Sequence, residues 1–506
     1  MKTSTRTGAA FDLAPPGPSA LLESLRAFGY DLPTALADIL DNSIAARARL
    51  IEIDFQWRGS ASRIRILDDG EGMTEARLIE AMRPGSSNPR DLREAHDLGR
   101  FGLGMKTASI SQCRCLTVLS RTTTSEVAVR SWDLDYIAAE ADGEWRLLKG
   151  ASLAEPADLE LLASRPSGTM LVWDRLDQVV DAGVAEDDAE ADKRFRQAVD
   201  VVRAHLAMTF HRFLEGPDPL EIRLNTQRIK PWDPFLTDHD ATQRLGDETL
   251  VCEGIEIQVK PYILPHHSRM TPDQHAAAAG PLGWNAHQGF YVYRNRRLLV
   301  PGDWLGLGMK KEEHAKLARI RVDLPNTADL AWQLDVKKSR ATPPAGLVRD
   351  LRRIARHARE LATRIYRHRG KVLAEKHAKP QDMLWRHVAK GGRTFYRINR
   401  SHPLVSKLLE RGEDREALLA LLALVEQSIP VPRIVLDQSQ HPDSLPMPFE
   451  GEEQQLMQAM TEVHRALVEG GSEPLAAAKA LQHMEPFHHH MDILEAFIRR
   501  FTGEQA

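Results

Sequence analysis

The hydrophobic pattern of the chain predicts an N-terminal helix that separates apolar from polar positions. Pro33 suits its first turn. Asp38 and Asn42 follow four residues apart, which places both side chains on one face, one turn from each other. The apolar positions fall on the other side and are expected in the core: Leu36, Ile39, Leu40 and Ile44. A carboxylate and an amide so placed can accept a proton and face a metal ion, although such pairs are commonly just solvated.

Alternation of apolar and polar residues predicts short strands between further helices. In the N-terminal third the strands are predicted at 50–55, 63–67, 116–120 and 126–133, and one more follows a turn at 167–169. Helical spacing returns over 195–214. A second α/β region is predicted from residue 220, with strands at 220–225, 289–297 and 320–324. From residue 347 the pattern is helical, with amphipathic segments at 403–427 and 450–502.

Composition narrows the class of protein without identifying it. A chain of 506 residues predicts two to four domains. The hydrophobic content of 42% and charged content of 27% are ordinary for a soluble protein, and the net charge of −4 requires any nucleic-acid surface to be local. Three cysteines are too few for a disulfide framework, which favours a cytoplasmic location. No apolar run reaches membrane-spanning length, so no membrane association is expected.

A carboxylate followed by alternate glycines ends the second predicted strand. Asp68 can accept a hydrogen bond from an exocyclic amine, and Gly70 and Gly72 let the backbone approach a flat ring closely. Taken alone, this stretch equally fits a simple glycine-rich turn.

A second glycine-rich stretch, GRFGLGMK at residues 99–106, precedes a predicted helix that begins near Leu103. Its backbone N–H groups can surround phosphate oxygens at the positive end of that helix, and Lys106 can add a charge-assisted contact. The spacing differs from that of a Walker motif.

The order of these motifs is more specific than any one of them. It resembles the GHKL ATPase superfamily of gyrase, the heat-shock-ninety chaperones, histidine kinases and MutL, and residues 35–43 and 99–106 look closest to its bacterial MORC-like branch. The resemblance covers roughly residues 30–175. It implies an α+β fold with a Bergerat-type ATP-binding sandwich at 1–185, a transducer-like α/β domain at 186–345 and a mainly helical region at 346–506.

The resemblance also implies roles for individual residues. Asp38 would be the general base, Asn42 would bind Mg²⁺, and Asp68 would bind the adenine amine, supported by Thr169. The base pocket would be lined by Gly70, Gly72 and Met73. The phosphates of ATP would be held by the lid residues Gly99, Phe101, Gly102, Leu103, Gly104, Met105 and Lys106. Lys337, or its neighbour Lys338, would reach back from the transducer-like domain to the γ-phosphate.

Two positions depart from the pattern of the family. Asp38 stands where the family usually has glutamate, and Ala45 stands where it often has aspartate. The shorter Asp38 side chain sets its carboxylate back by one methylene, and proton transfer requires contact at about 2.6–3.2 Å. Slow turnover is therefore expected. Asp41 lies about 60° around the helix from Asp38 and is interpreted as support for the helix.

The helical segment after Pro344 combines an apolar seam with many arginines. The seam consists of Leu347, Leu351, Ile354, Ala358, Leu361 and Ile365. The arginines on the other faces are Arg349, Arg352, Arg353, Arg356, Arg359, Arg364, Arg367 and Arg369. Residues 347–379 therefore form a candidate DNA surface, while a solvated face with internal ion pairs explains the pattern equally well.

The first hypothesis for function is an ATP-dependent dimeric clamp that acts on DNA, in the setting of bacterial antiphage defence and with further protein partners. Two alternatives remain. A chaperone similar to the heat-shock-ninety group would need an exposed apolar surface for its clients. A nucleotide sensor that does not hydrolyse ATP fits the substitution at Asp38.

Overall fold

The computed structural model describes residues 16–27, 29–85, 104–140, 143–329, 331–333, 341–375, 384–390, 393–411, 414–431, 434, 448–449, 451–484, 486–487 and 490–501. The chain divides into two compact units. Unit 1 contains residues 1–311 and 315–362, and unit 2 contains residues 312–314 and 363–506. The two α/β regions predicted from the sequence thus lie in one unit.

Unit 1 contains a mixed sheet in the order β5-β4-β3-β6-β2-β1-β7-β8. Its strands are β1 (Leu50–Gln56), β2 (Arg63–Asp68), β3 (Cys115–Arg121), β4 (Ala128–Asp133), β5 (Leu148–Lys149), β6 (Gly168–Asp174), β7 (Glu221–Leu224) and β8 (Gln227–Arg228). Neighbouring strands are antiparallel except β1 and β7, which are parallel. The strand β7 therefore belongs to the first sheet, which corrects the prediction that residues 220–225 open the second region.

Helices accompany this sheet and supply much of its core. They are α1 (Pro18–Arg26), α2 (Leu32–Ala45), α3 (Glu75–Met82), α4 (Gly104–Ile110), α5 (Leu134–Ala139), α6 (Pro156–Ala163), α7 (Ala189–Thr209) and α8 (His211–Leu214). Apolar residues of α2 and α7 pack with those of β1 and β2 in one core cluster. Among these helices the hydrophobic pattern predicted α2 and most of α7, because burial of one face sets the period of apolar residues.

The helix α2 has a clear physical start. Asp31 is its N-cap, and the Asp31 side chain accepts a hydrogen bond from the backbone N–H of Thr34 at 2.8 Å. The predicted core positions Leu36, Ile39 and Leu40 are buried. Asp38 and Asp41 are buried too, which the hydrophobic pattern did not predict for charged residues of this helix.

A second sheet of unit 1 follows, in the order β10-β11-β14-β12-β13, with β9 paired to β11. Its strands are β9 (Gln243–Arg244), β10 (Glu248–Cys252), β11 (Ile255–Ile263), β12 (Gly289–Arg294), β13 (Arg297–Asp303) and β14 (Ala318–Leu324). Between them lie α9 (Pro272–Ala279) and α10 (Gly283–Ala286), and α11 (Ala345–Glu375) comes after the sheet. The predicted seam of α11 is buried at Leu347, Leu351, Ile354 and Ala358.

The strands β12 and β13 are joined by the two residues Asn295 and Arg296. Both have positive φ, 47° and 72°, as a tight two-residue hairpin turn requires. Glycine is the usual residue at the second of these positions, so Arg296 holds a conformation that its side chain disfavours. The turn places Arg297 at the first position of β13.

Unit 2 is mainly helical, as predicted. Its helices include α12 (Pro403–Arg411), α13 (Arg415–Gln427), α14 (Glu453–Glu469), α15 (Pro474–Ala480) and α16 (Met491–Arg499). A hairpin of β15 (Trp385–Lys390) and β16 (Arg393–Ile398), which the sequence did not predict, precedes them. Trp385 and Tyr396 on this hairpin are exposed. None of the described helices is both long and apolar enough to cross a membrane.

Candidate nucleotide-binding site

The carboxylate of Asp68 lies buried at the end of β2. Its Oδ2 accepts a hydrogen bond from Ser43 Oγ at 2.8 Å. Its Oδ1 accepts from the backbone N–H groups of Gly70 at 2.9 Å and Thr169 at 3.2 Å. Burial raises the pKa of Asp68, and the three hydrogen bonds oppose that rise. The three donors fix the orientation of the carboxylate.

The Asp68 carboxylate can accept one more hydrogen bond. An ionised carboxylate offers about four acceptor sites, and the described residues use three of those on Asp68. A buried acceptor of this kind fits an N–H donor such as the exocyclic amine of adenine, and it would discriminate against a carbonyl at the same place. The residues present therefore fit the purine amine that the sequence predicts for this site.

The two glycines after Asp68 are required by close backbone contacts. Gly72 has φ +68°, and a Cβ atom there would lie 1.8 Å from the carbonyl oxygen of Arg121. A Cβ atom on Gly70 would lie 2.8 Å from the carbonyl oxygen of Ala46 and 3.0 Å from Asp68 Oδ1. Any larger residue at position 70 would thus push against the carboxylate that forms the site.

Thr169 lies beside Asp68, as predicted, but its hydroxyl serves another residue. The Thr169 Oγ1 atom is 2.8 Å from Ser120 Oγ, and Ser120 Oγ accepts a hydrogen bond from the backbone N–H of Met73 at 2.8 Å. Ser120 therefore ties the loop with Met73 to the strand with Thr169. Sequence reasoning missed this residue, because a serine in a strand carries no local signal of such a role.

The side chain of the predicted base Asp38 contacts groups from two other parts of the chain. Its Oδ2 accepts a hydrogen bond from the Tyr30 hydroxyl at 3.0 Å, and its Oδ1 lies 3.4 Å from Arg297 Nη2. The Nε of Arg297 donates to both carboxylate oxygens of Asp41, at 3.0 and 2.9 Å. Asp38, Asp41 and Arg297 are each at most 4% exposed. The sequence analysis missed both Tyr30 and Arg297.

The predicted magnesium ligand Asn42 is exposed on the next turn of α2. Its Nδ2 donates to the carbonyl oxygen of Asp38 at 3.2 Å, and its Oδ1 accepts no hydrogen bond from the described residues. The amide oxygen of an exposed asparagine is a suitable ligand for a hard cation. Asn42 fits the metal role, and within the described residues no cluster of three or more His, Cys, Asp or Glu does so.

The lid residues are described only in part. Gly104 and Met105 begin α4, while Gly99, Phe101, Gly102, Leu103 and Lys337 lie outside the described residues. Lys106 is buried, and its Nζ donates to the carbonyl oxygens of Ala81 at 2.8 Å and Arg83 at 2.9 Å, at the C-terminal end of α3. Burial lowers the pKa of Lys106 to about 8. Two of its three donors are thus used within the protein.

One family of known proteins matches the part of the chain that carries the candidate site. Residues 30–169 match the model of the family described as histidine kinase-, DNA gyrase B-, and HSP90-like ATPase. These residues have a GHKL-type ATPase fold, so the predicted α+β fold class with a helical C-terminal region is confirmed. The match ends before the second sheet begins.

Two solved structures are similar over most of the chain. One contains the ATPase and transducer domains of DNA topoisomerase II from Balamuthia mandrillaris, with 13% identity, 67% of this chain and 86% of that chain covered, and a TM-score of 0.37. The other is the N-terminal domain of a DNA repair protein, with 15% identity, 70% and 99% covered, and a TM-score of 0.40. No curated protein matches the sequence.

Proposed function

We propose that unit 1 binds ATP together with Mg²⁺ and hydrolyses it slowly. The observation that carries the proposal is the buried Asp68 carboxylate, which three donors orient and which keeps one acceptor site for the adenine amine. Ser43, which donates to this carboxylate, lies on α2. Asp38 and Asn42 lie on the same helix and then face the phosphate end of the same ligand. The match of residues 30–169 to an ATPase family supports the same activity.

Each residue of the site has a defined task in this proposal. Asp38 accepts a proton from the attacking water, and Asn42 contributes its side-chain oxygen to the metal. A bound Mg²⁺ would neutralise charge on the phosphates. Lys106 keeps one donor for a phosphate oxygen, and the glycine-rich lid at 99–104 and Lys337 complete the phosphate contacts. Met73, Gly70 and Gly72 line the base.

Isothermal titration calorimetry and a phosphate-release assay on the full chain test this proposal together. ATP should bind more tightly with Mg²⁺ than with EDTA, and phosphate release should be detectable but slow. Asn42→Ala should remove the dependence on Mg²⁺ and leave the metal-free affinity unchanged. Full dependence on Mg²⁺ in that variant would contradict the assignment of Asn42.

A nucleotide sensor is the second candidate, and the contacts of Asp38 favour it. Both carboxylate oxygens of Asp38 are engaged, one by Tyr30 and one by Arg297. Asp38 is also only 4% exposed, so an attacking water has little access to its carboxylate. Tight ATP binding without any phosphate release would establish the sensor in place of the ATPase.

We further propose that the chain forms an ATP-dependent dimer that acts on DNA through α11. Arg349, Arg353, Arg356 and Arg364 are exposed, and their spacing of three, four or eight residues puts them along one stripe of the helix. Arg352 and Arg359 are half-buried instead: Arg352 Nε donates to the carbonyl oxygen of Leu307, and the Arg359 guanidinium lies over the ring of Trp304. A salt-dependent DNA titration with and without ATP tests the proposal.

The resemblance of residues 35–43 and 99–106 to MORC-like proteins supports a proposal for the biological role. A MORC-like clamp would work in the bacterial cytoplasm, in antiphage defence and with partner proteins. Co-purification from cells that carry the chain would identify such partners.

A chaperone remains a separate candidate because unit 2 exposes an apolar helix. On α13 the side chains of Leu421 and Leu424 are 57% and 66% exposed, and Leu419 and Val425 are exposed as well. An exposed apolar surface is what client binding requires. Suppression of aggregation of an unfolded protein, together with no affinity for DNA, would favour the chaperone over the clamp.

A further inference from the structure

We infer that Arg297 is a positioning residue of the nucleotide site and that it makes ATP turnover depend on the second sheet. The inference rests on the proposed ATPase activity. Arg297 is the first residue of β13, while Asp38 and Asp41 lie on α2 beside the first sheet. One guanidinium thus reaches from the second sheet to the helix that carries the base.

Each of the three nitrogens of the Arg297 guanidinium has a hydrogen-bond partner, and two of them contact α2. Its Nε donates to Asp41, its Nη2 lies 3.4 Å from Asp38 Oδ1, and its Nη1 donates to the carbonyl oxygen of Leu298 at 3.0 Å. His205 on α7 also faces this cluster. Burial lowers the pKa of His205 to about 4, so this histidine is neutral at pH 7 and adds no charge. The two carboxylates and the guanidinium therefore set the local electrostatics.

Arg297 has a consequence for Asp38 that packing alone does not have. A general base must hold the oxygen that faces water in a fixed position. The Arg297 guanidinium contacts Asp38 Oδ1 and both carboxylate oxygens of Asp41, so it fixes the position of Oδ1 relative to α2. Arg297 thereby keeps the base positioned without touching ATP itself.

The hairpin turn between β12 and β13 sets the position of Arg297. Asn295 and Arg296 both adopt positive φ, which closes β12 and β13 with two residues and fixes the register at Arg297. A displacement of this hairpin would pull the guanidinium away from Asp38. Movement of the second sheet would thereby change the rate of hydrolysis more than the affinity for ATP.

The chain supplies a matched control in Arg294, which lies directly opposite Arg297 in the same hairpin. Arg294 is 5% exposed and Arg297 is 4% exposed. The Nε of Arg294 donates to Asp329 Oδ1 at 2.8 Å, so its carboxylate partner lies outside α2. Arg297→Gln and Arg294→Gln each remove one buried arginine from this hairpin. Only Arg297→Gln removes the contact with Asp38.

The test compares Arg297→Gln, Arg297→Lys and Arg294→Gln in the full chain. ATP affinity is measured by calorimetry, and kcat and KM are measured by phosphate release. Arg297→Gln should lower kcat at least about tenfold while Kd for ATP stays within about threefold, since a general base contributes about 10²–10⁴-fold. Arg297→Lys should recover part of kcat, because it restores the positive charge. Arg294→Gln should keep kcat within about twofold.

Equal losses of kcat in Arg297→Gln and Arg294→Gln would overturn the inference, as would an unchanged kcat in Arg297→Gln. If Arg297→Gln does not fold, Asp41→Asn combined with Arg297→Gln removes the uncompensated charge on Asp41. The combined variant should still lose kcat, and wild-type turnover in it would overturn the inference. Absence of hydrolysis in the wild-type chain is a different result, which rejects the proposed ATPase activity and this inference with it.

Discussion

Ser43 Oγ donates a hydrogen bond to Asp68 Oδ2 at 2.8 Å. This bond joins α2, which carries Asp38 and Asn42, to the end of β2, where the adenine amine is expected. The two ends of the candidate nucleotide site are therefore in direct contact through two side chains, and a change at one end reaches the other.

The first prediction concerns this carboxylate. Asp68→Asn should weaken ATP binding by at least about tenfold, because the new Nδ2 atom faces either the donor of Ser43 or the two backbone donors, and the buried acceptor is lost. Calorimetry on the folded variant measures the effect. Asp69→Asn is the matched control. Among the described residues Asp69 is contacted at Oδ1 alone, which accepts from the backbone N–H groups of Arg49 and Leu50, and asparagine keeps that oxygen. Equal affinities in the two variants would refute the adenine assignment.

The second prediction concerns the general base. Asp38→Ala should reduce phosphate release by about 10²–10⁴-fold while ATP still binds. Because hydrolysis rather than binding would reopen the proposed clamp, the variant should also accumulate as a dimer with ATP on sizing chromatography. Asp38→Glu restores the missing methylene and should speed turnover. A wild-type rate in Asp38→Ala would show that another group accepts the proton.

The third prediction uses the buried Lys106 ammonium. Its pKa is lowered to about 8 in the folded protein, so between pH 8 and 10.5 the unfolded chain binds more protons than the folded one. Stability therefore rises with pH across this range, by up to about 3 kcal/mol from this group. Lys106→Met removes the group. In scanning calorimetry, the Tm of the wild type should rise relative to the Tm of the variant from pH 7.5 to 10. A Tm difference that does not change with pH would contradict the prediction.

The fourth prediction concerns DNA. Replacing the exposed Arg349, Arg356 and Arg364 by glutamate should weaken DNA binding and reduce its dependence on salt. ATP affinity should not change, because these residues lie on α11 and not on the elements that form the nucleotide site. Glu360→Gln, which alters a charge on the same helix face, serves as the comparison. Unchanged DNA affinity in the triple variant would leave α11 as a structural helix.

Short-range patterns allowed the two elements that carry Asp38, Asn42 and Asp68 to be predicted. The i, i+4 spacing on α2 and the strand that ends at Asp68 are local features, and local burial and backbone geometry decide them. Ser120 and Arg297 were missed because their roles depend on contacts with distant segments: Ser120 is 49 residues from Thr169, and Arg297 is 256 residues from Asp41. Tyr30 is only 8 residues from Asp38 but precedes the helix, so helical spacing did not connect the two. Apolar periodicity does not specify the partner of a strand, which is why β7 was assigned to the wrong sheet.

The contact between Arg297 and Asp41 also bears on when the nucleotide site can form during synthesis of the chain. Synthesis at about 5–20 residues per second separates the two residues by roughly 13–50 s on the ribosome. During that interval α2 presents two acidic side chains that lack this cation, and burying them is unfavourable. A nascent chain that stops at residue 185 also lacks β7, the parallel neighbour of β1. The nucleotide site is therefore expected to mature only after most of unit 1 has left the ribosome.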